Sequence, residues 1–249
     1  MDPAAGDRAD SAGVPWAGRT LPQGGFDGDD GTADPVLSQA IAAAAAGSAD
    51  EVDVVAALAT ARLMVPVVAV LGEGGEAAHG HADKSADMAL VTLTGPDGRR
   101  ALPVFTGLES LHRWDTTARP VPVEARRAAV SAVAEGCDLL VVDPAGPVTF
   151  VVSRPAVWAL GQGRAWVPAH RDAEVLAALA EAGDGVAGVL AVDAEPGDQS
   201  ELRVVVRLDA GLGQDAVRAA AAAVAQRIQA SDVVRERVDG VQLAVAAPT

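Results

Sequence analysis

The sequence predicts an α/β fold of the α+β kind: a mixed sheet with antiparallel hairpins packed by helices, followed by a β-β-α-β C-terminal part. Three observations carry this. Two pairs of apolar segments flank turn-forming residues, "TGPDGR" at 94–99 and Asp143-Pro144-Ala145-Gly146, and each is a hairpin signal. Short strand-like apolar runs recur between segments whose apolar residues fall on one helical face. The chain has 249 residues, 50% of them hydrophobic, which is enough to bury a sizeable core.

Residues 1–34 are rich in Gly, Asp and Pro and hold seven acids and two arginines. That composition cannot bury enough surface to offset backbone ordering, so it predicts disorder. Trp16, Leu21 and Phe26 are spaced about five apart within it. Three readings stay open: stray apolar residues in an acidic tail, anchors that dock the tail on its own domain, or a partner-binding linear motif.

Helix signals begin at "DPVLSQAIAAAAAG", with Asp34 as N-cap, Pro35 at the first helical position and Gly47 as the stop. A second helix is expected at about 50–62, with Val52, Val55, Leu58 and Ala59 on one face. "VPVVAVL", 65–71, reads as a buried strand. "MALVTL" and "RALPVF" form the first hairpin, and Pro103 within the second run predicts an edge position or a bulge. Thr106 and Glu109 have N-cap to N3 spacing, so a capping box is expected before a short helix, with Leu108, Leu111 and Trp114 turned inward.

A helix at about 123–135 leads into "CDLLVVDPAGPVTFVV", the second hairpin. "SRPAVWALGQG" gives a short helix capped by Ser153 and stopped by Gly161 or Gly163. After Pro168 the pattern starts afresh, with a helix at 170–182. The strands "GVAGVLAVDA" and "ELRVVVRLDA" follow, with Arg203 and Arg207 on the face opposite Val204 and Val206. A helix at about 213–230 and the strand "GVQLAVA" complete the chain. This tail is either a second small lobe or an extension of the first sheet. The expected division is therefore a disordered or docking tail at 1–34, a main domain at 35–165 and a smaller α/β part at 166–249.

Composition excludes several function classes. There are 19 basic and 34 acidic residues, a formal net charge of −15. Such a chain repels nucleic-acid phosphates and anionic lipid surfaces unless it carries a concentrated basic patch. The densest cluster, Arg113, Arg119, Arg126 and Arg127, is interrupted by acids. The lone cysteine, Cys137, rules out a disulfide within the chain and suits a reducing compartment. No signal peptide is expected, since the N-terminus lacks a basic stretch followed by an apolar one. The longest apolar run, "LMVPVVAVLG", is far short of the roughly 20 residues of a membrane helix. A cytoplasmic location is expected. Tyrosine is absent and Lys84 is the single lysine. A phosphate-binding loop of the Gly-x-x-x-x-Gly-Lys type is therefore missing. Lys84 sits in a polar loop, without the desolvation that prepares an amine for Schiff-base chemistry.

The candidate chemical motifs have simpler explanations. "GEGGEA", 72–77, matches a dinucleotide fingerprint, but a polar run rather than a helix follows, and Glu73 and Glu76 would repel a pyrophosphate. "GLGQDA", 211–216, opens a helix too near the end of the chain for a doubly wound sheet. His79, His81 and Asp83 lie in a glycine loop with no third nitrogen or sulfur ligand at recognisable spacing. Asp138 beside Cys137 raises rather than lowers a thiol pKa. No Gly-x-Ser-x-Gly elbow occurs. No catalytic residue, cofactor or metal site is therefore expected.

The block from Met88 to Gly161 resembles the N-terminal domain of the SseB ("enhanced serine sensitivity") family. The carriers are "ALPVFTGLESLHRW" and, after a helix, "GCDLLVVDPAGPVTFVVSRPAVWAL". In that family a strand ends in Phe-Thr/Ser, a short helix ends near Trp, and a later strand ends near an Asn/Asp-Pro turn. Those features fall on Phe105, Thr106, Trp114, Asp143 and Pro144. The segment "PWAGRTLPQGGFDGDDGTADP" is similar to actinobacterial members. The resemblance implies a fold, an unassigned role and no established catalytic residue. The expectation is a non-catalytic cytoplasmic protein-binding or scaffold protein with a protein partner. The alternative is a small-molecule-binding regulator linked to amino acids. The weak candidate contact surface is Pro103, Phe105, Trp114 and Asp143.

Overall fold

In the computed structural model residues 25–71, 86–198 and 200–246 are described. Trp16 and Leu21, the glycine-rich 72–77 stretch, His79, His81, Asp83 and Lys84 lie outside them. Of the described residues, 25–31 belong to one unit and those from Thr32 onwards to a second.

The second unit starts with helix α1 (Pro35–Ala45), whose first N–H groups are taken by the Asp34 carboxylate through Val36 and Leu37. Helix α2 (Glu51–Leu58) follows, burying Val54, Val55 and Leu58. Strand β1 (Arg62–Leu71) pairs antiparallel with β2 (Ala86–Leu90) and with β5 (Arg119–Glu124), giving the order β2-β1-β5. Strands β3 (Leu93–Thr94), β4 (Arg100–Val104), β6 (Leu139–Val142) and β7 (Phe150–Val152) make a second sheet, ordered β3-β4-β6-β7. Only β4 and β6 are parallel within it. Helices α3 (Leu108–Trp114), α4 (Ala125–Ala134) and α5 (Arg154–Gln162) connect these strands.

Both expected hairpins form. In the first, Gly98 takes φ +81° and Gly95 accepts its N–H, a turn that a side chain at 98 would strain. The expected strand at 88–93, however, breaks at residues 91–92. Its first half pairs with β1 and its second with β4. Strand β5, which contains Pro120 and Pro122, is not among the expected elements. Met64 spends its backbone N–H and C=O on Phe105, at 2.8 Å each, so its pairing with Pro122 carries no hydrogen bond. The missing N–H groups of Pro120 and Pro122 therefore face the free edge of the sheet.

Pro103 is buried, not at an exposed edge. The carbonyls of Arg100 and Val104 accept from Asp138 and Asp143, so alternation turns the Pro103 backbone away from β6. On that side β3 pairs only Arg100 and Ala101. The proline thus sits where the ladder has ended, inside the fold.

The remaining elements are helix α6 (Ala173–Gly183), strands β8 (Val189–Pro196) and β9 (Leu202–Leu208), helices α7 (Gln214–Ala230) and α8 (Asp232–Arg237), and strand β10 (Val241–Ala246). They build a third sheet, ordered β10-β9-β8, with β10 parallel to β9. The fold is α+β with open sheets, and its C-terminal part is β-β-α-β with a short extra helix. The hydrophobic core changes hands at 166–169. One cluster runs from Leu37 to Trp166, and another gathers residues from Ala169 onward around the inner face of β9, Leu202, Val204, Val206 and Leu208. No helix among the described residues is long and apolar enough to cross a membrane.

Candidate functional site

Strands β4 and β6 run parallel, so their C-terminal ends meet, and the polar residues that follow them are brought together. Thr106 and Asp143 are both buried there. The Thr106 N–H donates to Asp143 Oδ1 at 2.9 Å and its hydroxyl to Oδ2 at 2.7 Å. Asp143 holds φ +50°, the only non-glycine at positive φ among the described residues. Its own carbonyl accepts from Gly146 N–H at 2.9 Å and from the Thr149 hydroxyl at 3.0 Å. Arg62 Nη1 donates to the Thr106 carbonyl at 2.9 Å.

This corrects the expected capping box. The N-cap of α3 is Gly107, and Ser110 Oγ accepts its N–H at 3.4 Å, while Thr106 is committed to Asp143. Glu109 is exposed and pairs with Arg113 one turn on, at 2.8 Å.

Of the four expected contact residues, Phe105 is fully buried, and Pro103 and Asp143 are also inside. Trp114 is half-buried, with its ring centroid 5.4 Å from that of Phe105. Phe105, Asp143 and Trp114 therefore gather at one corner, but as packing and backbone support. They do not form an outer surface.

Cys137 is buried as well. Burial pushes its thiol up, Arg100 opposes the shift, and Glu135 and Asp138 add to it. That is the wrong direction for a thiolate nucleophile. No cluster of three His, Cys, Asp or Glu suited to a metal occurs among the described residues.

A cleft of about 660 Å³ is lined by Arg99, Asp138, Arg154, Asp198, Ser200, Glu201, Asp239 and Gly240. Asp239 is its hub. It pairs with Arg99 at 2.7 Å and Arg154 at 3.6 Å, and its N–H donates to Glu201 Oε2 at 2.6 Å. Arg154 also donates to the carbonyls of Arg235 and Val238. These charges are spent on one another, tying α5 and the β3-β4 hairpin to the segment before β10.

The carboxyl of Glu51, at the start of α2, is pushed up to about 7 from its usual 4.5, by desolvation first, then by the charges of Glu201 and Asp239. An acid whose folded pKa exceeds its unfolded one supports the fold while protonated. That support fades as pH rises from about 4.5 to about 7. Glu51→Gln is therefore expected to stabilise the protein at pH 8 by about 1 kcal/mol, allowing for the solvent exposure of the residue. Near pH 4 it should be neutral. Urea melts at the two pH values check this, and destabilisation at pH 8 would show that the charge is paired rather than penalised.

Sequence reasoning missed one exposed surface. Helix α4 buries Ala125, Ala128, Ala129 and Ala132 and turns Arg126, Arg127, Val130 and Val133 outward. Val130 is 53% exposed and lies beside Gly161 of α5. Trp158, less than a turn before Gly161, is 42% exposed. Val123, Glu124, Arg126, Arg127, Val130 and Ser131 line a groove of about 610 Å³ between β5 and α4. The signal was available: alanines at 125, 128, 129 and 132 already define the buried face of the helix, which leaves the valines outside.

A protein-family model described as the SseB protein N-terminal domain matches residues 37–159. The match runs from α1 into α5, the span of the first core, and leaves α6 to β10 outside. No curated protein and no solved structure matches the chain.

Proposed function

The chain belongs to the SseB family through its residues 37–159, and from that premise we propose that it is a non-catalytic, cytoplasmic protein-binding or scaffold protein. The α4–α5 surface is the observation that carries this reading. Exposed Val130 and Trp158, with Arg126, Arg127 and Glu124 beside Val130 in the groove, fit a partner that brings an apolar patch and carboxylates for the two arginines. Trp158 and the two arginines belong to the residue types that dominate binding hot spots. The corner at Thr106 and Asp143 supports the same reading, since its polar groups hold backbone in place.

Val130→Asp combined with Trp158→Ala should leave the fold intact, because both side chains are already exposed. It should weaken partner binding by about tenfold or more. Affinity capture with wild-type and doubly substituted protein, followed by titration of the captured partner, provides the measurement. Partners held equally by both proteins would overturn the assignment of this surface.

A further inference from the structure

The last strand leaves one edge open. Strand β10 lies outside β9 in the order β10-β9-β8. Leu202 donates its N–H to the Gly240 carbonyl at 3.1 Å, and Gln242 lies beside Arg203 in the parallel register. In such a ladder the even-numbered residues of β10 turn their backbone groups to β9. Val241, Leu243 and Val245 therefore aim their N–H and C=O groups the other way, where no described residue takes them.

Their side chains share the inner face of the sheet. Leu243 packs on the second core, but Val241 is 37% and Val245 45% exposed. The strand reads VQLAVA, with neither charge nor proline. Edge strands that avoid pairing carry one of these devices, as β5 does with Pro120 and Pro122.

We infer that β10 is the seam of a two-fold dimer, pairing antiparallel with β10 of a second copy so that two three-stranded sheets become one of six. Centred on Leu243, the pairing places Val241 opposite Val245 of the second copy and Leu243 opposite its own counterpart. Antiparallel residues paired in this way exchange both hydrogen bonds, so every open group on both edges finds a partner. The exposed valines cover one another on the inner face, and Gln242 meets Ala244 on the outer one. Such an interface is self-complementary, as two-fold symmetry requires.

Charge selects the antiparallel arrangement. Each copy carries −15, so the seam must be neutral, and this strand is. The acids Glu201 and Asp239 lie at the start of β10. Antiparallel pairing separates the two acidic ends by the strand length, about 20 Å, or roughly two screening lengths in physiological salt. Parallel pairing would place them side by side.

Sedimentation of the full chain over a wide concentration range tests this seam. The wild type should dimerise. Val241→Lys with Val245→Lys sets like charges opposite at both cross-strand positions and should raise the dimer dissociation constant about tenfold or more. Val241→Lys with Val245→Glu should restore dimerisation, because each new ammonium then faces a carboxylate of the second copy. Circular dichroism confirms that all variants fold. A wild type that stays monomeric, a dimer indifferent to the paired lysines, or no rescue by the charge swap would overturn the seam. Val130→Asp should leave the dimer untouched. A dimer broken by that change would move the seam to α4, which separates failure of this inference from failure of the α4–α5 surface.

Discussion

Asp143→Ala is expected to destabilise the protein by about 3 kcal/mol, a large effect for one surface-adjacent turn. Two losses combine. The Thr106 N–H and hydroxyl, bonded to the carboxylate at 2.9 and 2.7 Å, would be left without a charged acceptor in a buried corner, and such bonds are worth about 1.5–3 kcal/mol. Alanine must also adopt φ +50°, which costs a residue with a plain Cβ about 1 kcal/mol. Asp143→Asn separates these terms. It keeps one acceptor and tolerates the left-handed backbone, so about 1–2 kcal/mol is expected. Asp143→Gly relieves the backbone and leaves Thr106 unpaired, and should fall between the two. Urea unfolding of the three variants gives the ordering. A cycle with Thr106→Val should show coupling, since the two residues share one interaction. Equal costs for alanine and asparagine would mean that the carboxylate contributes little and that the corner is held by the turn alone.

That corner also shows where sequence reasoning stops. Thr106-x-x-Glu109 satisfies the local pattern of a capping box, and nothing within ten residues argues against it. The competitor is Asp143, 37 positions away. A buried carboxylate held at the end of a neighbouring strand outbids a local cap, and only the parallel alignment of β4 with β6 reveals it. The same distance problem hides the acidic group formed by Glu51, Glu201 and Asp239, whose members come from three parts of the chain.

The hairpins, by contrast, were legible, because Pro-Asp-Gly and Asp-Pro-Ala-Gly set backbone geometry within four residues. Helix ends at Asp34 and Gly163 were legible for the same reason: a carboxylate cap at one, and φ +68° at the other. Strand partners were not. "MALVTL" has the composition of one strand, and its division between β1 and β4 depends on where other strands lie. Pro103 reads as an edge position or a bulge, yet it is buried, because a ladder can also end inside a fold. The prolines of β5 fit a strand because their missing N–H groups face a free edge. The open edge of β10 required the sheet order, while its lack of charge and proline was visible in the sequence from the start.

Phe105→Ala is expected to cost about 3–5 kcal/mol, the range for removing a buried aromatic ring. Phe105 is fully buried and forms a small cluster of its own with Met64, Leu111 and Ala118, against which Trp114 packs. It also bridges the first two sheets, exchanging backbone bonds with Met64. The backbone bridge survives truncation, but the ring that fills the space between β1 and α3 does not. Loss should therefore be felt first at α3. Hydrogen exchange at the α3 amides should accelerate more than at β6, and the emission of Trp114, isolated against a Trp114→Phe background, should shift to the red. Phe105→Leu refills most of the volume and should cost about 1 kcal/mol. These outcomes distinguish two roles for the residue. If Phe105 were a contact residue, alanine would leave stability nearly unchanged and abolish partner binding. If it is the wedge that the structure shows, stability falls steeply, and any change in binding follows the fraction of protein that remains folded.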